Sequence, residues 1–251
     1  MDLDLLVRMG LLIARPSMLV ASAPVFGGQS APSHVRIGLI LLLAVLSLPL
    51  VPVPPVPTLA SLGVIVAREL AIGLALGMSV RAVLAGAELG GHITSSQLML
   101  SYGSLIDPQG GTRNTLLATL YGNLALITFF AINGHHMLLR GLAASYQALP
   151  IGAGAIEGSL AGSVMRLLGV VFVFGLRLAA PIIVVMLVVE LGTGLVSKAA
   201  PALNLMVVGM PVRLIVGLLA VAAVVPQIPG ITARFATLAL EAGRQLAEAF
   251  R

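Results

Sequence analysis

His92, Ser95 and Ser96 are the one place in this chain where an imidazole and hydroxyls stand close enough in sequence to suggest nucleophilic chemistry. On a helix, spacings of three and four bring side chains to one face. No acid is placed to orient the imidazole, so the group reads as a polar patch and not as a catalytic relay. Asn133-Gly134-His135-His136 raises metal binding instead. Adjacent helical histidines point about 100° apart, the nearest acids in sequence are Asp107 and Glu157, and there is no cysteine to complete a zinc set. The tetrapeptide reads better as a helix break, with Gly134 allowing the turn and the imidazoles satisfying freed backbone groups or meeting water. The single lysine, Lys198, has no glycine-rich loop beside it, so nothing cradles a phosphate. A hidden enzyme would have to be built from Glu88, His92, His135 and His136. Their placement argues against one, and no catalytic, metal or cofactor site is expected.

The remaining polar residues punctuate apolar helices. Stepping by four from Glu69 passes Gly73, Gly77, Arg81 and Ala85, with Glu88 a heptad beyond Arg81. This is roughly one helical face, small in the middle and charged at its ends. An ionisable side chain at membrane depth costs roughly 2.5–3.5 kcal/mol on insertion scales and normally faces a partner or a watery cavity. The stripe therefore reads as a subunit contact or a conduit lining, or as an intrachain cluster of Arg68, Glu69, Arg81 and Glu88. Leu195–Leu219 interrupts two apolar arms with Lys198, Pro201, Asn204, Gly209, Pro211 and Arg213, a shaped hairpin turn and not a plain span. Ser101–Asn114 combines an Asp107-Pro108 turn with Gly103, Gly110 and Gly111, and with the apolar Tyr102, Leu105 and Ile106. Taken alone, it is an exposed connector.

The elements that must position these residues are helices. The chain of 251 residues is 59% hydrophobic and only 9% charged, far below the roughly 25% charge of a soluble domain, which places it in or against a membrane. Its net charge of +5 is scattered one basic residue per segment, and three Tyr, seven Phe and no Trp offer little for stacking, so nucleic acid is excluded as a partner. The same scatter gives the positive-inside rule no purchase. Asp2 and Asp4 without a basic cluster do not make a cleavable signal peptide. Helices are expected over Asp2–Ala23, Val35–Leu48, Thr58–Leu100 with Thr58 as its cap, Thr115–Ile132, Met137–Ala148 and Glu157–Val196, followed by an arm to Val225 and a tail helix. Breaks fall at Pro24–Pro32, at the extended Pro49–Pro57 connector, and at Pro150–Gly154, Ala199–Pro211 and Pro226–Gly230. The fold class is all-α: polytopic, membrane-associated helical hairpins broken by proline and glycine. Gly73/Gly77, Gly86/Gly90 and Gly158/Gly162 are small-xxx-small pairs that favour close helix packing.

Several ordered motifs give the chain a family likeness. These are Ala14-Arg15-Pro16, Pro24-Val25-Phe26-Gly27, Pro32-Ser33-His34-Val35-Arg36, Arg68-Glu69 with Gly73 and Gly77, and Ala85-Gly86 to Gly90-Gly91. Asp107-Pro108, Asn133-Gly134-His135, Leu149-Pro150-Ile151-Gly152, Leu178-Ala179-Ala180-Pro181 and the Leu195–Leu219 turn complete the set. In order and spacing they resemble the FliR family of flagellar and type III secretion export-gate proteins, whose injectisome homologues share the fold. The resemblance implies a FliP-like part over residues 1–178, including the 101–114 loop, followed by a FliQ-like hairpin and amphipathic C-terminal helix over 179–251. It implies assembly with FliP-like and FliQ-like subunits around a conduit for unfolded export substrates, and neighbours that include the FlhB-like switch protein and basal-body ring and rod proteins. It also implies a place in the bacterial inner membrane at the flagellar basal body, largely held above the bilayer plane. Tyr102–Asn114 matches the loop that plugs the conduit in the family. The rival reading, a polytopic small-solute transporter, calls for two matching halves, and the chain shows no convincing internal repeat.

Overall fold

The computed structural model describes residues 3–27, 32–49, 51, 59–100, 115–152, 160–200 and 205–250. Among them, nine α-helices follow one another: α1 (Leu3–Ser22), α2 (Pro24–Gly27), α3 (Ser33–Ser47), α4 (Leu59–Gln97), α5 (Leu116–Ala131), α6 (Gly134–Ala148), α7 (Leu160–Ala199), α8 (Leu205–Val224) and α9 (Ile228–Glu248). A 3₁₀ turn, Val225–Gln227, links α8 to α9, and the described residues contain no strand. Three stretches, Ser61–Gln97, Leu160–Ala199 and Gly209–Glu248, are long and apolar enough to cross a bilayer, and the bent pair α5–α6 would make a fourth. The fold is an all-α polytopic membrane architecture.

Several expected breaks are shorter than the sequence suggests, because proline is tolerated wherever its missing N–H is not needed. Pro24-Val25-Phe26-Gly27 forms one helical turn after Ala23 instead of a loop, with Pro24 at its first position. The Pro226–Gly230 break is a tightened 3₁₀ turn running directly into α9. The 133–136 break narrows to Ile132-Asn133, where the path bends by 66°. Asn133 takes left-handed φ/ψ of 57° and 33°, a conformation that Asn tolerates better than most residues. Gly134 already belongs to α6 and lies against the Phe129 ring, 2.6 Å from where a Cβ would stand. The histidines consequently occupy the first turn of α6. Thr58 and most of the proline connector lie outside the described residues.

The chain forms two compact units, each discontinuous in sequence. The first comprises Met1–Val83, Phe129–Val170 and Ala236–Arg251, and the second Leu84–Thr128 and Val171–Phe235. In the first, α3 packs on α1, and α1 lies along α4 over a core that includes Leu11, Leu12, Leu19 and Ile72. A Cβ on Gly73 would collide with the Arg15 carbonyl, and one on Gly77 with the Ser22 hydroxyl and the Leu19 carbonyl. In the second unit, Gly86 meets the Val171 carbonyl and Phe174, and Gly90 meets the Gly175 carbonyl and Leu178, so the later half of α4 packs as closely on α7. Residue numbers rise together along both seams, so α4 runs in the same direction as each partner. Gly162 has nothing within 4 Å of its would-be Cβ, and Gly158 lies outside the described residues.

Backbone contact this close leaves no room for one carbon. Gly73→Ala is expected to displace α1 and to expose the chain to added protease in native membranes. Gly169→Ala, where a Cβ meets nothing within 4 Å, should remain within about 1 kcal/mol of the parent. Equal protease resistance of the two variants would show that α1 does not depend on this seam.

Candidate functional site

The most strongly determined polar cluster centres on Arg15, inside α1. Its side chain and that of Glu69 on α4 are both fully buried, 0% exposed. Arg15 Nε donates to Glu69 Oε2 at 2.7 Å, one terminal nitrogen donates to Ser145 Oγ at 2.8 Å, and the other donates to the Leu149 carbonyl at 2.9 Å. Leu149 is the C-cap of α6. The guanidinium therefore satisfies a carbonyl that has no intrahelical donor, at the helix end where positive charge is favoured. Ser145 passes its own proton to the Leu142 carbonyl at 2.6 Å. The face of the guanidinium lies 4.2 Å from the centroid of the Tyr146 ring, a cation–π contact strengthened by the dry surroundings. Glu69 Oε1 is buried without a hydrogen-bond partner among the described residues.

Pro16, the next residue, adds a second link. Lacking an N–H, it leaves the Leu12 carbonyl without its helical donor, and the Tyr146 hydroxyl reaches that oxygen at 3.4 Å. Arg68, beside Glu69, donates from Nε to the Phe250 carbonyl at 2.7 Å, just past the end of α9. Two neighbouring charged positions on α4 thus help to fix two helix C-termini, one through Arg15 and one directly. Three of the sequence motifs, Ala14-Arg15-Pro16, Arg68-Glu69 with Gly73 and Gly77, and the start of Leu149-Pro150-Ile151-Gly152, meet at this cluster although up to 134 residues separate its partners.

The stripe from Glu69 to Glu88 does not stay on one face. Each step of four advances about 40° beyond a full turn, so Arg81 lies about 120° around the helix from Glu69, and Glu88 about 100°. Glu69, Gly73 and Gly77 face α1, whereas Arg81 is exposed. Glu88, partly buried, packs its side chain over Gly122 of α5. The sequence pattern marks Glu69 but not its partner Arg15. The available signal was an arginine inside an apolar helix with no acid within one or two turns after it.

Lys198 lies exposed in the last turn of α7, and Gly209, Pro211 and Arg213 lie within α8, so the hairpin connection narrows to the residues between Ala199 and Leu205. Pro211 fits because its neighbours are already helical and only the bond to the Val207 carbonyl is lost. Arg213 forms an ion pair with Glu190 of α7 and ties the two arms together. Pro201, Asn204 and the loop residues Tyr102, Gly103, Leu105, Ile106, Asp107, Pro108, Gly110 and Gly111 lie outside the described residues.

The chemistry-bearing groups remain dispersed. Ser95 Oγ donates to Thr115 Oγ1 at 2.8 Å, and His92 Nδ1 stands 3.5 Å from the same oxygen, which ties the end of α4 to the start of α5. The His135 and His136 rings lie 4.2 Å apart, and His135 also meets Phe130 at 5.4 Å. No group of three His, Cys, Asp or Glu able to hold a metal occurs among the described residues.

Tightly seamed helices with one buried ion cluster, and large apolar faces left open on α7 and α8, define a multi-helix membrane component. Residues 6–238 match the family model described as bacterial export proteins, family 1. The flagellar biosynthetic protein FliR of Pectobacterium carotovorum subsp. carotovorum is 32% identical over 212 residues, covering 84% of this chain and 81% of that protein. FliR of Caulobacter vibrioides is 33% identical over 211 residues (83% and 84% coverage), and FliR of Escherichia coli K12 is 30% identical over 217 residues (86% and 83% coverage). The chain belongs to the FliR family of bacterial export proteins.

Removing one member of the buried pair leaves the other charge stranded. Arg15→Met should destabilise the protein by about 3–5 kcal/mol, and Arg15→Met combined with Glu69→Leu should recover much of that loss. The two single variants and the double variant form a cycle that can be read from unfolding midpoints of the protein purified from co-expressing cells. Strict additivity of the two losses would remove the coupling inferred from the geometry.

Proposed function

We propose that this chain is a structural, conduit-lining subunit of the flagellar type III protein export gate, without catalytic activity. It assembles with FliP-like and FliQ-like subunits in the bacterial inner membrane to pass unfolded export substrates. In this reading residues 1–178 are the FliP-like part and 179–251 the FliQ-like hairpin with its amphipathic C-terminal helix. α7 runs through Pro181, so the two parts share a helix. The FlhB-like switch protein and the basal-body ring and rod proteins are its further neighbours.

The observation that carries the proposal is a family match over residues 6–238 on a chain whose own packing leaves its apolar helices unequally covered. Burial takes in 67% of the most apolar stretch of α4, but 33% of that of α7 and 22% of that of the α8–α9 segment. Leu187, Val188, Leu191 and Leu195 of α7, with Ile215 and Leu219 of α8, are all exposed. Contiguous apolar faces of this kind mark protein or membrane interaction surfaces. The helices also approach through glycine seams, the means by which helices associate where lipid supplies no hydrophobic drive.

Expressed alone, the chain should aggregate or be degraded, and FliP-like and FliQ-like subunits should restore a monodisperse particle. A stable monomer in detergent, indifferent to those partners, would contradict the proposal and favour a self-sufficient transporter. We further propose Tyr102–Asn114 as a movable plug in the conduit. Its glycines free the backbone and its apolar residues seal against neighbours. Deleting Ser104–Gly111 should leave assembly intact and make cells take up dye or lose membrane potential, whereas a sealed membrane would assign the plug to another subunit.

A further inference from the structure

In the second unit, a pocket of about 380 Å³ opens between α7 and the start of α9, lined by Arg177, Gln227, Gly230, Ile231, Arg234 and Phe235. Two guanidiniums share it, and no acidic side chain lines it. Its wall is rigid. Phe235 stacks on the fully buried Phe174 at 4.8 Å with the rings 12° from parallel, and the Arg177 guanidinium lies 5.6 Å from the Phe235 centroid. A Cβ built on Gly230 meets nothing within 4 Å, so the space beside it is open. Phe172, Val173 and Leu176, on the turn of α7 before Arg177, are exposed and apolar.

Two positive charges in an apolar setting call for an anion, and position selects which one. Arg177 is the eighteenth residue of the 40-residue α7, about 26 Å from the nearer end at 1.5 Å per residue. Lipid headgroups sit at the two faces of a hydrocarbon layer about 30 Å thick and would meet a spanning helix near its ends, not at its middle. A side chain on a neighbouring helix has no such limit. We propose that this pocket receives a carboxylate from an Asp or Glu on an apolar helix of a neighbouring subunit. Arg177 and Arg234 hold its two oxygens by charge-assisted hydrogen bonds, while Phe172, Val173 and Leu176 cover the flanking apolar turns. The inference rests on the chain being a subunit of an assembly and adds the chemistry by which one neighbour is recognised. The pocket acts as a keyed contact, because an apolar helix without a correctly placed acid would strand two cations at the interface.

The test uses the full chain, tagged and co-expressed with FliP-like and FliQ-like subunits, with a photo-crosslinking residue at Ile231 or, as a reference, at the exposed Leu187 on α7. Crosslinks from position 231 should map to a partner segment containing Asp or Glu. Arg177→Glu with Arg234→Glu should cut their yield at least about tenfold, and Arg177→Lys with Arg234→Lys should retain most of it. Gly230→Leu, which fills the pocket without removing charge, should also abolish the crosslink. Capture of a partner from position 187 together with no crosslink, a lipid crosslink, or an acid-free segment from position 231 would overturn the carboxylate pocket and leave the subunit role standing. Capture from neither position would overturn both.

Discussion

The close approach of α1 to α4 depends on one buried ion pair. Arg15 is fully enclosed, a position that becomes affordable only because Glu69, Ser145 and the Leu149 carbonyl take its donors and Tyr146 covers its face. An apolar pair of equal volume could pack as tightly, so what the ions add is register. Sliding α1 by one turn, about 5.4 Å, would separate the charges in a medium that cannot screen them and would move the Arg15 carbonyl away from Gly73. The glycine sets the distance between the helices, and the ion pair sets their offset.

The same economy appears where helices end or bend. Pro16 frees the Leu12 carbonyl, and Tyr146, whose ring covers Arg15, also donates to it. The carbonyl at the α6 C-cap is met by Arg15, and a carbonyl just beyond α9 by Arg68. In hydrocarbon an unsatisfied backbone group costs several kcal/mol, so each break must bring its own partner. Long, flexible arginine side chains supply those partners from a neighbouring helix. This explains why basic residues are spread one per segment along the chain and not gathered in loops.

Much of this architecture was legible in the sequence because the relevant signals are local. Helix positions follow from apolar runs and from proline and glycine punctuation, and α1, α3, α4 and α7 start or end within a few residues of expectation. Break lengths were less legible. Pro24, Pro211 and Pro226 read as interruptions, yet each occupies a position where the lost N–H is not needed or only one bond is forgone. The pairing of Arg15 with Glu69 spans 54 residues and that with Leu149 spans 134, so no periodicity within a single helix could reveal it. The Glu69–Glu88 stripe shows the opposite error. A step of four looks like one face over two turns, but it drifts across the helix surface over five.

The unequal coverage of the helices follows from where the strongest contacts lie. α4 has glycine seams on successive faces, one meeting α1 and the other meeting α7 within its own unit, and little of its apolar surface remains for anything outside the chain. α7 and α8 are joined to each other through Arg213 and Glu190 near the hairpin end, and Gly192, Gly194 and Gly209 have nothing within 4 Å of their would-be Cβ atoms. Small residues with empty space beside them, set among exposed Leu and Val, are what a helix presents when its close neighbour belongs to another chain. A solitary lipid-facing helix gains nothing from glycine and loses up to about 1 kcal/mol of helix propensity for each one. The open glycines of α7 and α8 therefore argue for packing against protein, which is the same conclusion that the arginine pocket reaches from charge.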